Sequence, residues 1–253
     1  MMSGRLTIVG IGPGVGDHLT RAAAEELAGA DVLLGYRAYL EMLKSEELQA
    51  RVEVFEIGQE VARARRAALL ALSGERVALV SSGDPGIYGM AALALSELDS
   101  LAKGQPLPET KVVPGVTAAS AAAALLGAPL AMDFACLSLS DRLVPWPELE
   151  ARIRSLVAVD VVLAIYNPRS GSRIRPWQVA VGEIAKARPP VTPVGVVRRA
   201  MREGQAIMLT DVARLGEIEV DMETCVIVGS SRTRRVGDWM VTLRDWGSNG
   251  AGS

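Results

Sequence analysis

Histidine is all but missing from this chain: His18 is the only one in 253 residues, and beside Asp17 it reads as a surface loop residue. One imidazole rules out His-based triads and multi-histidine metal centres, so no metal site is expected. Cysteine is nearly as scarce. Cys136 and Cys225 both fall inside apolar runs, which favours buried free thiols over a disulfide or a C-x-x-C centre. Neither a G-x-S-x-G elbow nor a Walker loop occurs. Long hydrophobic runs are lacking too. The longest, residues 118–132, is broken by Ser120, Gly127 and Pro129, well short of the roughly 18 apolar residues a membrane span needs. With one early Arg and no small-residue cleavage site, the N-terminal residues show no secretory signal. A soluble, cytoplasmic protein is expected.

Nearly half the residues, 49%, are apolar, enough for one large domain or two medium ones. The net charge of −2 gives no reason to expect nucleic acid. Its distribution is uneven. Residues 1–150 carry 12 basic and 19 acidic groups, residues 151–253 carry 15 and 10, so the C-terminal part is the better host for an anionic ligand. Of the 27 basic residues 23 are Arg, whose planar fork suits carboxylates, although codon usage in a GC-rich genome is an equally good source of that excess.

Short β-branched runs alternate with Ala/Leu-rich segments, the pattern of parallel sheets covered by helices. Strands are expected at 6–9, 32–34, 52–57, 76–80 and 111–113, with helices at 20–29, 37–44, 60–72, 88–98 and 117–126. The rhythm restarts after Pro129, with strands at 134–139, 161–165, 193–197, 206–209, 225–228 and 239–243. The expected fold class is therefore α/β, with two α/β domains (1–129 and 130–247), a cleft between them, and a Gly/Ser-rich flexible tail at 248–253.

The loops after the strands hold the chemistry. Val9-Gly-Ile-Gly-Pro-Gly14 resembles a dinucleotide fingerprint, but the third glycine position falls on Val15 and Pro13 has no N–H to offer. A turn is expected there, not the start of a helix, which argues against a nicotinamide-dependent dehydrogenase. In Ser82-Gly-Asp-Pro-Gly-Ile-Tyr-Gly89, Asp84 either accepts hydrogen bonds from a ligand or caps the turn or a helix near Tyr88. Pro114-Gly-Val-Thr-Ala-Ala119 leads into a helix whose small side chains allow either a flat ring against the backbone or close packing on a sheet. Tyr166-Asn-Pro-Arg-Ser-Gly-Ser-Arg173 is either an Arg clamp for carboxylates or a solvated turn.

In this order the first three loops resemble the signatures of the tetrapyrrole (precorrin) methylases, over about residues 6–246. The branch acting at carbon 17 of precorrin-3B is the most similar, through Gly58-Gln-Glu-Val61, Ala128-Pro-Leu130, Asp133-Phe134, Leu137-Ser-Leu-Ser-Asp141, Pro145-Trp146, Tyr166-Asn-Pro-Arg-Ser170 and Pro193-Val-Gly195. The resemblance implies an S-adenosylmethionine-dependent methylation of carbon 17 with ring contraction, in a homodimer; sister methylases and the cobalt-bearing substrate of the anaerobic route are the alternatives. Carried over, Pro13, Ser82, Gly83, Asp84, Ile87, Thr117, Ala118, Asn167 and Ala200 hold the cofactor. Gly12 and Gly14 face the substrate. From charge and loop position, Arg142, Arg169, Arg173 and Arg198 meet the substrate's carboxylates, and Asp84, Ser138, Asp141 and Tyr166 are the acid/base candidates for contraction. Ala131-Met132 stands where the branch commonly has Gly-His, Val228-Gly-Ser-Ser231 where it has Val-Gly-Asn-Ser, and Thr242-Leu-Arg-Asp-Trp246 replaces a Thr-Pro-Arg-Gly-Tyr-like stretch.

Overall fold

The computed structural model describes residues 4–14, 16–43, 48–142, 144–171 and 173–244. The expected tail at 248–253, and Asp245 and Trp246, lie outside the described residues. The chain divides into two compact units between Thr117 and Ala118.

The first unit alternates strand and helix throughout: β1 (Arg5–Gly10), α1 (Arg21–Ala28), β2 (Val32–Tyr36), α2 (Arg37–Met42), β3 (Arg51–Phe55), α3 (Glu60–Leu72), β4 (Arg76–Ser81), α4 (Ala91–Ala102) and β5 (Glu109–Val113). The strands form one parallel sheet in the order β3-β2-β4-β1-β5. Because side chains alternate across a strand, each central strand feeds two cores. Leu6, Ile8, Val32, Leu34, Val77 and Leu79 meet α3 and α4, while Val9, Leu33, Ala78 and Val80 meet α1 and α2. The split follows from handedness. Crossovers running toward β3 and those running toward β5 must cover opposite faces if each is right-handed. Their outgoing loops therefore gather beyond the C-terminal ends of β1, β4 and β5.

The second unit contains α5 (Ala118–Leu126), β6 (Gly127–Ala128), β7 (Phe134–Ser138), α6 (Trp146–Ala158), β8 (Val162–Tyr166), α7 (Arg175–Ala187), β9 (Pro193–Arg198), β10 (Ala206–Asp211), β11 (Thr224–Val228), β12 (Thr233–Val236) and β13 (Trp239–Thr242). Its main sheet, ordered β10-β9-β11-β8-β7, is mixed and not parallel as the strand spacing suggested. Only the β7–β8 pairing is parallel; β11 runs against both β8 and β9, and β10 against β9. The reason is length. A parallel return needs a dozen or more residues of crossover, which α6 and α7 supply but the short turn between β9 and β10 does not. The β12–β13 pair, of which only β13 was expected, adds β6 as a third strand of a small sheet.

The division at Thr117 precedes the boundary expected near Pro129, because α5 belongs to the second sheet. Ala122, Ala123 and Leu126 pack with Val162, Val197, Cys225 and Ile227. Gly195 makes this possible: a Cβ there would lie 2.2 Å from Leu126 Cδ1. The small-residue face of α5 is thus explained by close packing on a sheet. Opposite it, Leu149, Ile153 and Val157 of α6 and Trp177, Ala180 and Ile184 of α7 cover Leu163, Ile165, Val194, Val196, Val226 and Val228. Each fully buried aliphatic side chain contributes about 1.5–3 kcal/mol.

Gly182 lies inside α7 with open space where a side chain would stand. Gly182→Ala is expected to raise stability by up to about 1 kcal/mol, read as a higher Tm by calorimetry.

Candidate functional site

Three backbones meet beyond the first sheet. Ile11 N–H donates to the Ser81 carbonyl at 3.0 Å, and Gly12 and Gly83 exchange backbone hydrogen bonds at 3.1 and 2.9 Å, an antiparallel bridge between the loops after β1 and β4. Both glycines are left-handed, with φ of 68° and 60°. The first loop therefore turns back and opens no α-helix at its glycines, only a 3₁₀ turn at Gly16–His18. α1 starts only at Arg21, where Thr20 Oγ accepts from Ala23 N–H. That geometry removes the helix-end amides a pyrophosphate requires.

Asp84 ties in the third loop. Its Oδ1 accepts from Gly86 N–H at 2.8 Å and its Oδ2 from Gly115 N–H at 3.3 Å. It caps a turn and no helix: Tyr88 is left-handed at φ 54° and α4 begins at Ala91, later than the expected start at Tyr88. Contact at this junction is close. A Cβ on Gly115 would stand 2.2 Å from the Gly83 carbonyl oxygen, and one on Gly10 would stand 2.7 Å from the same atom and from Gly115 N. Pro13, Ser82, Gly83, Asp84 and Thr117 are half-buried and Ile87 is exposed, so these six candidate cofactor residues of the first unit are reachable from solvent. Gly12 and Gly14, expected at the substrate, are buried.

In the second unit the candidates gather beyond the C-terminal ends of β7, β8 and β9. Asn167, left-handed at φ 51°, donates from Nδ2 to Ser138 Oγ at 3.1 Å. Tyr166 is buried, and its hydroxyl oxygen accepts from Ala119 N–H at 3.0 Å, which fixes the start of α5. Ala118 is half-buried against the clusters holding Ala119 and Leu126. Ala200 sits between two left-handed residues, Arg199 and Met201, at φ 48° and 59°.

The four arginines expected to meet carboxylates separate into two pairs. Arg173 donates to Ser170 Oγ, Ser140 Oγ and Asp141 Oδ1 at 2.9, 3.1 and 3.0 Å, which engages the candidate base Asp141 as well. Arg198 is matched by Asp221 at 2.6 Å and Glu223 at 3.3 Å. Burial pushes the Asp221 carboxyl up, but hydrogen bonds from Arg198, Thr224 and the Glu223 amide outweigh it and hold the carboxyl below its ordinary range. Among the described residues, Arg142 and Arg169 have no ion-pair partner. Arg142 is exposed; Arg169, half-buried, lines a groove of about 400 Å³ with Ser170, Gly171 and residues 220–223. The sequence reading missed Asp221 and Glu223. Their pairing comes from the β9–β11 register, which places Thr224 opposite Arg198 and leaves no mark in local sequence.

Neither thiol offers a nucleophile. Burial pushes the Cys136 thiol up and drives Cys225 up to about 12. Among the described residues no helix is long and apolar enough to cross a membrane.

Gly115→Ala is expected to cost about 1–3 kcal/mol through overpacking on backbone atoms that cannot swing aside. Gly171→Ala, which meets open space, serves as the control, and thermal melting of both variants checks the contrast.

Comparison with known proteins agrees with this geometry. Residues 5–216 match the family of tetrapyrrole (corrin/porphyrin) methylases. A probable cobalt-factor III C(17)-methyltransferase of Salmonella typhimurium is 40% identical, over 95% of this chain and 99% of its own length. A precorrin-3B C(17)-methyltransferase of Sinorhizobium sp is 38% identical, over 93% of this chain and 92% of its own. The chain spans 46% of the length of another relative, the cobalt-factor III methyltransferase of Priestia megaterium, at 38% identity over 97% of this chain. Among solved structures, the methyltransferase CobJ superposes with a TM-score of 0.87 at 35% identity, covering 95% of this chain and all of that one. A uroporphyrin-III C-methyltransferase of Thermus thermophilus, complexed with S-adenosylhomocysteine, gives a TM-score of 0.67 at 25% identity, covering 89% of this chain and 97% of that one. With its glycine-loop junction and a family match across most of its length, this chain belongs to the tetrapyrrole (corrin/porphyrin) methylases.

Proposed function

We propose that this protein transfers a methyl group from S-adenosylmethionine to carbon 17 of precorrin-3B in cobalamin biosynthesis, with contraction of the ring, and works as a cytoplasmic homodimer. The observation that carries the reading is the junction of three glycine loops around Asp84 at the C-terminal edge of the first sheet. Relatives that this chain matches over nearly their whole length support methylation at carbon 17. They divide between precorrin-3B and cobalt-factor III, so the cobalt-bearing substrate is the alternative at the same carbon.

The junction fits the cofactor by its chemistry. Small residues let the ligand approach the backbone closely, and Asp84, held by two amides, keeps lone pairs for a ribose hydroxyl or an ammonium group. When bound, S-adenosylmethionine supplies the methyl on a sulfonium whose thioether leaves without needing a proton. What this chain contributes is therefore placement. Ser82, Gly83, Asp84 and Ile87 fix the donor side, and alignment with water excluded is worth up to roughly 7–11 kcal/mol of the barrier. Contraction adds a proton to be removed from a hydroxyl at carbon 20. Of the four candidates, Asp84 and Asp141 offer carboxyl oxygens to that proton, whereas Ser138 and Tyr166 offer hydroxyls whose own protons must move first. Arg142 and Arg169 are the guanidiniums left over for substrate carboxylates, and Arg169 is the one that lines the groove.

Isothermal titration with S-adenosylhomocysteine and with NADH tests the cofactor: tight binding of the first and none of the second is expected, whereas the reverse defeats the reading. Asp84→Ala is expected to weaken S-adenosylhomocysteine about tenfold or more, the size of lost hydrogen bonds to a charged group. In turnover of precorrin-3B and cobalt-factor III, assayed separately, Arg169→Ala is expected to raise the tetrapyrrole KM about tenfold or more and to leave the S-adenosylmethionine KM unchanged.

A further inference from the structure

Three guanidiniums converge on one carboxylate at the β9 end of the second unit. Glu223 Oε2 accepts from Arg199 Nε at 2.7 Å and lies 3.3 Å from Arg198, and its Oε1 lies 3.6 Å from Arg202. The Glu223 backbone takes part as well: its carbonyl accepts from Arg199 N–H at 2.9 Å, and its N–H donates to Asp221 Oδ1 at 2.9 Å. The Glu223 and Arg199 side chains are 36% and 39% exposed, and ion pairs that open to water add little to folding. Geometry is the better account of the cluster.

The backbone it grips is unusual. Arg199 and Met201 are both left-handed, although neither is Gly or Asn, and Ala200 stands between them. Such residues persist where their surroundings over-determine them, and they concentrate at functional sites. Two clamps supply the constraint here. Glu223 holds Arg199 by backbone and side chain, and Gln205 Oε1 accepts from Met201 N–H at 2.7 Å. Between them Ala200 is half-buried against the cluster that holds Val197, Cys225 and Ile227. Asn167, the other second-unit loop residue given to the cofactor by resemblance, is also left-handed. β11, which Glu223 immediately precedes, lies between β8 and β9 in the sheet. One acidic residue, in the turn just before β11, thus stands between the strand ends that lead to Asn167 and Ala200.

We propose that Glu223 is a positioning residue for cofactor binding: by gripping Arg199 it sets the left-handed turn that presents Ala200 to S-adenosylmethionine. This rests on the cofactor reading above, in which Ala200 lines that ligand.

Two variants separate positioning from simple stability. Glu223→Ala removes the side-chain part of the grip and keeps the backbone hydrogen bond. Arg199→Gly removes the same part, yet places at φ 48° the residue that adopts this conformation without strain, so the fold is not endangered. Titration calorimetry with S-adenosylhomocysteine and thermal melting are run on wild type and both variants. The expected result is affinity lowered about tenfold in each, with the Tm of Arg199→Gly within about 2 °C of wild type. Wild-type affinity in either folded variant overturns the proposal, as does a fall in affinity that only accompanies loss of folded protein. If the wild type itself fails to bind S-adenosylhomocysteine, the cofactor reading falls and this inference with it.

Discussion

The first unit depends on one close approach of backbones. Gly12 and Gly83 exchange hydrogen bonds, and Asp84 fastens Gly115 to the same place, so the loops after β1, β4 and β5 form one rigid edge. The approach needs glycine at Gly10 and Gly115, where any side chain would strike a carbonyl or an amide. A parallel sheet with helices on both faces sends its loops to this edge, and the glycines let them touch. Rigidity there comes from main chain, with the Asp84 carboxylate as its side-chain tie.

The second unit reaches a comparable edge by another route. Its mixed sheet brings the N-terminal end of β11 between the C-terminal ends of β8 and β9, so an acidic segment, Asp221 to Glu223, stands among arginines. The arrangement pairs four of the arginines that the sequence concentrates in this part of the chain. Arg198, Arg199 and Arg202 are matched by two carboxylates and Arg173 by Asp141. Arg169 stands apart from these pairs beside the groove. Counting arginines overstates a protein's capacity for anions wherever the fold has already paired them.

Mild side chains suit the proposed reaction. Transfer of a methyl from a sulfonium asks for alignment and dryness more than for a strong base, and loops of Gly, Pro, Ala and Ser hold a ligand without competing chemistry. The thiols fit this picture, since burial keeps both protonated.

Much of the first unit was legible in the sequence. Strands expected at 6–9, 32–34 and 76–80 lie inside Arg5–Gly10, Val32–Tyr36 and Arg76–Ser81, because buried parallel strands are short apolar runs bounded by turn residues. The turn at Pro13 and the loop carrying Asp84 were equally visible, since proline and glycine act on the backbone within a few residues. What the sequence could not disclose were relations across strands. The antiparallel entry of β11, the attachment of α5 to the second sheet, the contact between Gly83 and Gly115, and the pairing of Arg198 and Arg199 with Asp221 and Glu223 all join residues remote in the chain. Local chemistry determined which segments of the first unit are strands, helices and turns, whereas α6, α7, β6 and β12 of the second were not read from it. Only the tertiary structure decided which strand ends adjoin and which charges are already spoken for, because register and strand direction are set by the packing of the whole sheet.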